Sequence, residues 1–188
     1  MKLLFKASTC LSMCVMILAS ANIAFAASPA NILLYISPND YKYSVHLLHP
    51  YYNFWFEQGP LLEPVALQAL KAKDSEVKMC TGNESANIII RIKPHVFYNP
   101  QMSVYHSKLE ATVYSGSGQV LGNYVGKAEQ YGFTVSDITL NYNLKKVYNL
   151  AMQNLMTKLK VDVVNEKPAS QLPCGIIGGQ DQTKINFY

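Results

Sequence analysis

The sequence predicts an α+β fold, a two-layer sandwich in which a mainly antiparallel sheet carries two helices on one face. Three observations point there. Two stretches, Asn87 to Pro94 and Met102 to Tyr114, alternate side chains with the period of a half-buried strand. Two others, Leu61 to Leu70 and Leu144 to Leu159, repeat apolar residues at spacings of three and four. The composition agrees, because 13 Tyr against one Trp, with 9 Pro, suits a β-rich chain better than a helical bundle.

The first segment is an address and not part of the fold. Lys2 and Lys6 precede an apolar run from Leu11 to Ala19, and Ala24-Phe25-Ala26 places small residues where a signal peptidase reads them. Residues 1–26 are therefore expected to be a secretory signal peptide. The run is shorter than the roughly 20 residues that span a bilayer, so no membrane span is expected after cleavage. Removal of this segment takes away two of the 16 basic residues and none of the 12 acidic ones, leaving a nearly neutral domain. So small an excess of positive charge argues against a nucleic-acid partner. Cys10 and Cys14 leave as well, and the remaining pair, Cys80 and Cys174, reads as one disulfide in an oxidising compartment. The chain-entropy model assigns such a loop about 4 to 5 kcal/mol.

Residues 27–160 should hold the domain. Ile32 to Ile36 is a short continuous apolar run, which suits a strand buried on both faces, and Pro38-Asn39-Asp40 should end it. Tyr41 to Phe56 is crowded with rings and has no clean period, so it reads as an extended segment followed by an aromatic loop. From Leu61, residues Leu62, Val65, Ala66, Ala69 and Leu70 make one helical stripe, with Pro64 in the first turn. A short strand is expected at Val77 to Cys80, followed by a turn at Thr81-Gly82-Asn83.

The longer strands follow. Ile88, Ile90 and Ile92 share a face against Ile89, Arg91 and Lys93. Tyr105, Leu109, Ala111 and Val113 oppose His106, Lys108, Glu110 and Thr112, the clearest alternation in the chain. Ser115-Gly116-Ser117-Gly118 is hairpin chemistry, and Gln119 to Gln130 can return as the partner strand. Gly122 and Gly126 lie on one face of it, where they could permit a bulge or the close approach of a helix. Ser136 can cap the last helix, with Asp137 in its first turn and Leu144, Val147, Tyr148, Ala151, Leu155 and Leu159 as its stripe. The tail, 161–188, with Pro168, Pro173, Gly175, Gly178 and Gly179, should be irregular except where Cys174 pins it.

The search for catalytic chemistry is mostly negative. His46 and His49 are three apart, but no carboxylate or thiolate stands at ligand spacing and Pro50 interrupts a helix, so no metal and no cofactor are expected. Gly116 to Gly122 leads into a strand, so it cannot cradle a phosphate at a helix N-terminus. Ile176-Ile177-Gly178-Gly179 resembles a protease N-terminus with no protease domain after it. No GxSxG, HExxH or CxxC cluster occurs.

Aromatic residues are the distinctive feature. Tyr52 and Trp55, with Phe97 and Tyr98 in an expected loop, are the candidate binding residues. Two readings stand: these rings cap the open sheet, or some of them form a docking patch for a partner, glycan or lipid.

The run from Ala86-Asn-Ile-Ile-Ile90 through Ser103 to Tyr114, Gly116-Ser-Gly118, Val120-Leu121-Gly122 and the closing Ala151-x-x-x-Leu155 helix resembles small bacterial envelope proteins. That group includes the auxiliary lipoproteins of envelope ABC transporters and the N-terminal module of the TolB and curli-secretion type. Here Asn87 and Ser117 stand where that pattern has Asp, and there is no lipobox Cys. The resemblance covers roughly residues 59–160. It implies an accessory role in envelope assembly or transport, in the periplasm, with an envelope protein as partner and no catalytic residues. A hydrolase using His46, His49 or His106 as base, and a secreted interaction protein, are the alternatives.

Overall fold

The protein's structure, a computed structural model, describes residues 31–159 and 171–179. The expected signal peptide, 1–26, and the parts of the tail at 161–170 and 180–188 lie outside the described residues. Eleven elements follow in order among those described: β1 (Ile32–Tyr35), α1 (Pro38–Lys42), β2 (Ser44–Leu47), β3 (Phe54–Glu57), α2 (Gly59–Lys71), β4 (Lys78–Met79), β5 (Ile88–Asn99), β6 (Val104–Ser115), β7 (Val120–Tyr131), α3 (Asp137–Lys158) and α4 (Cys174–Gly179). The fold is an α+β sandwich.

The main sheet has the order β4-β1-β5-β6-β7. β5, β6 and β7 form a long antiparallel meander, while β1 runs parallel to both β4 and β5. Because β1 has neighbours on both sides and cover on both faces, all four of its residues are buried. β5 continues through Pro94 to Asn99, five residues beyond the expected end. A proline is tolerated there because β1 stops opposite Arg91, and beyond that point β5 is an edge strand on one side.

α2 and α3 cover one face. Ile32, Leu34, Ile88, Ile90, Ile92, Leu109, Ala111 and Val113 from the sheet meet Leu62, Ala66 and Leu70 of α2 and Leu144, Val147, Ala151 and Leu155 of α3 in the main core. Ser136 caps α3 with its side chain on the Thr139 amide, and Thr139 reciprocates, so two donors that the helix leaves unpaired are satisfied. At Gly126 the helix rests directly on β7, whereas beside Gly122 the strand carries a bulge opposite Val113/Tyr114.

Two segments ahead of α2 differ from expectation. Pro38 does not simply end β1: Ser37 caps a short helix with its Oγ on the Asp40 amide, and Pro38 stands in the first turn, where it is pre-set for helix. Tyr41 to Phe56 contains a regular antiparallel ribbon, β2–β3, and not an extended segment with a loop. Its alternation is masked in the sequence because the outward position Trp55 is as aromatic as the inward Phe54 and Phe56.

The tail is the other correction. Residues 174–179 form a helix, α4, which lies on the sheet face opposite α2 and α3. There Cys174 and Ile177 pack on Leu33, Tyr35, Ile89 and Tyr114 in a second, smaller core. A Cβ on Gly178 would stand 2.3 Å from the Tyr35 ring, so the helix can lie this close only with glycine there. Cys80 and Cys174 are joined by a disulfide with Cα atoms 6.2 Å apart. Backbone bonds from Cys174 N–H to Glu84 O, Gly175 N–H to Gly82 O and Leu172 N–H to Gly116 O complete the strap.

Candidate functional site: an apolar end and an open sheet face

Three segments meet at one end of the molecule. The β5–β6 turn, 100–103, is built by Asn99, whose Oδ1 accepts from the Gln101 and Met102 amides at 3.1 and 3.2 Å. Gly132 N–H donates to Ser103 O at 2.9 Å, bringing the β7–α3 loop against that turn. Tyr105 and Thr134 share a buried hydroxyl–hydroxyl hydrogen bond, and Asn143 Nδ2 donates to Phe133 O, so the loop is fastened from both the sheet and α3. The β2–β3 connection arrives from the third side. His49 sits among the rings of Tyr51, Tyr52, Phe54 and Tyr98, with centroids 5.0 to 6.3 Å away.

This end presents apolar side chains to solvent. Tyr51 is 85% exposed, Phe133 77% and Ile138 81%, and Tyr131, Val135, Tyr142 and Met102 are each at least 60% exposed. A scattered exposed Leu needs no explanation, but here the large exposed apolar groups lie on or beside the three segments that meet at this end. Of the residues singled out from sequence, Tyr52 belongs to this end and Trp55 lies on the outer side of the adjoining ribbon. Trp55 is held flat, stacked on His46 at 4.7 Å with its Nε1 donating to Asn53 Oδ1 at 3.0 Å.

Tyr98 requires correction as a surface aromatic. It is buried, because even-numbered residues of this part of β5 face the main core, and its ring packs on Tyr105 at 4.5 Å. Phe97 is exposed, but it points from the opposite sheet face, so the two adjacent rings cannot act together. Sequence reasoning missed Phe133, Val135, Ile138 and Tyr142. Their sequence signal is weak: Phe133 and Val135 flank the one inward residue of the loop, Thr134, just ahead of the Ser136 cap.

Phe97 belongs to the open sheet face, where rows of side chains cross β5, β6 and β7 in register. Phe97, His106 and Glu129 form one row, and His95, Lys108 and Lys127 the next. His106 stacks on Phe97 at 5.7 Å and approaches Glu129 at 3.2 Å. His95 lies 3.7 Å from Glu110, and Lys108 pairs with the same carboxylate at 2.5 Å. The Lys108 hydrogen bond, helped by the surrounding positive charge, holds the Glu110 carboxyl below its ordinary range.

Buried ionisable groups elsewhere serve the frame. Burial pushes the Tyr148 phenol far above its usual range, and its hydroxyl donates to Gln58 Oε1 at 3.1 Å. Burial likewise raises Tyr105 and Tyr35. Glu84 is lowered, chiefly by the Thr81 hydroxyl, in the loop that grips Cys174. Cys80, Glu84 and Cys174 are the one group of three potential metal ligands among the described residues, and the disulfide occupies both sulfurs.

No family model matches the chain, and no curated protein matches it. Solved structures do. A Xanthomonas campestris protein described by the family model DUF330 aligns over 86% of this chain and 92% of its own, with TM-score 0.48 and 11% identity. An uncharacterised protein covers 70% of this chain and 94% of its own, with TM-score 0.46 and 9% identity. A candidate lipoprotein of Caulobacter crescentus aligns over 71% of this chain and 88% of its own, with TM-score 0.36 and 10% identity. No helix among the described residues is long and apolar enough to cross a membrane.

Proposed function

We propose that this chain is an exported, non-catalytic accessory protein of the bacterial cell envelope that docks a protein partner through its apolar end. The observation that carries the reading is the solvent-facing set Tyr51, Phe133, Val135 and Ile138, within which the loop of Phe133 and Val135 is fastened through Ser103, Thr134 and Asn143. A preorganised apolar surface loses little freedom on binding, so the area it buries is turned into affinity more fully than that of a floppy loop. Because β1 runs parallel to β5, Asn31 lies at the opposite end from the β5–β6 turn, and the apolar end points away from where the chain enters the sheet.

Export is supported by the N-terminal pattern of residues 1–26 and by a disulfide, which persists in oxidising compartments such as the periplasm. An accessory role in transport or envelope assembly is supported by the order of elements that resembles the auxiliary lipoprotein and curli-secretion proteins. The histidines support a non-catalytic reading by their occupations: His46 stacks on Trp55, His49 is enclosed by rings, and His106 faces Phe97 and Glu129. The test is co-purification from envelope fractions of the wild type beside a Phe133→Ser, Ile138→Ser double variant. A partner retained by the wild type and lost from the folded variant supports the reading, and a partner set that does not change refutes it.

A further inference from the structure

The open sheet face carries a feature that folding alone does not favour. His95 stands directly opposite Lys108, and Lys108 directly opposite Lys127, so three basic side chains lie side by side across β5, β6 and β7. Like charges directly opposed on neighbouring strands destabilise a sheet. Glu110 relieves Lys108 at 2.5 Å, but among the described residues Lys127 has no ion-pair partner. The row lies on the floor of a concavity of about 450 Å³, walled on one side by the stacked pair Phe97 and His106. Arg91 and Lys93 continue the basic character along β5, with Glu110 and Glu129 as the carboxylates of the trough region.

We infer that this trough binds an acidic, extended segment of a protein partner, with a carboxylate between Lys108 and Lys127 and a neighbouring apolar side chain on Phe97. The charge complementarity is direct, since an anion bridging two opposed ammonium groups removes their repulsion. Shape selects the occupant. The trough is open, so a small free anion would keep most of its hydration, whereas an extended segment adds apolar contact with Phe97. Three strands span about 10 Å, the length of roughly three extended residues, which matches a short peptide lying across the sheet.

This site is separate from the apolar end, and its failure would leave docking at Phe133 and Ile138 intact. The test is a nuclear magnetic resonance titration of the isotopically labelled mature protein with a short capped peptide alternating glutamate and phenylalanine. Parallel titrations use the same peptide with glutamine for glutamate, and inorganic phosphate. The acidic peptide should produce saturable shifts at the Lys108 and Lys127 amides. The glutamine peptide should bind about tenfold or more weakly, and Lys127→Glu should weaken the acidic peptide similarly while Lys71→Glu does not. Absence of saturable shifts, equal binding of the glutamine peptide, insensitivity to Lys127→Glu, or the same saturation by phosphate alone would each overturn the assignment. The spectrum of each variant shows whether it is folded.

Discussion

Gly126 of β7 lies under Ala151 of α3 so closely that a Cβ on Gly126 would stand 2.3 Å from the Ala151 carbonyl oxygen and 2.7 Å from Leu155 Cβ. The obstacle is helix backbone, which cannot turn aside as a flexible side chain can. Gly126→Ala should therefore lift α3 from the sheet and cost about 2 to 3 kcal/mol, read as a lowered midpoint in urea unfolding.

Ser107 gives the opposite sign. Its hydroxyl is buried on the core face of β6 and has no hydrogen-bond partner. Ser107→Ala removes an unsatisfied polar group, so stability should be unchanged or higher by up to about 1 kcal/mol. Denaturant melts of this variant beside Tyr148→Phe, which leaves Gln58 Oε1 without its buried donor and should lose about 1 kcal/mol or more, separate satisfied from unsatisfied polar groups.

Both helices and, up to Pro94 in β5, the three-stranded meander are legible in sequence, from the periodicity of residues such as Ile88, Ile90 and Ile92 and from the hairpin chemistry of Ser115 to Gly118. The β2–β3 ribbon is not, since rings stand on both of its faces. The same ambiguity hides the fate of Phe97 and Tyr98. Adjacent strand residues face opposite ways, and which one is inside depends on a register set eight residues earlier at Ile90. The helical α4 is unreadable because six residues rich in glycine have no helical preference of their own, and it is the disulfide and the Tyr35 surface that give it a place.

Cys174→Ser should release that strap. The chain-entropy model predicts a loss of about 4 to 5 kcal/mol for a loop of this length. Leu33, Tyr35, Ile89 and Tyr114 would lose their cover. Binding of a hydrophobic dye that is stronger to the variant than to the oxidised wild type checks the second effect independently of the first.

High pH should expose the buried phenols as a linked group. Burial raises Tyr148, Tyr105 and Tyr35, so their stabilisation is complete below the ordinary tyrosine range and declines as pH rises above it, because the unfolded chain ionises first. The tyrosinate absorbance of Tyr148 should therefore appear only with loss of the circular dichroism of the fold.

The most direct measurement of docking through the apolar end places a photo-crosslinking amino acid at Phe133, and separately at Lys71 on α2, in the exported protein within cells. Docking through the apolar end predicts a discrete crosslinked partner from position 133 and none from position 71. No crosslink from position 133, or the same product from both positions, would contradict it.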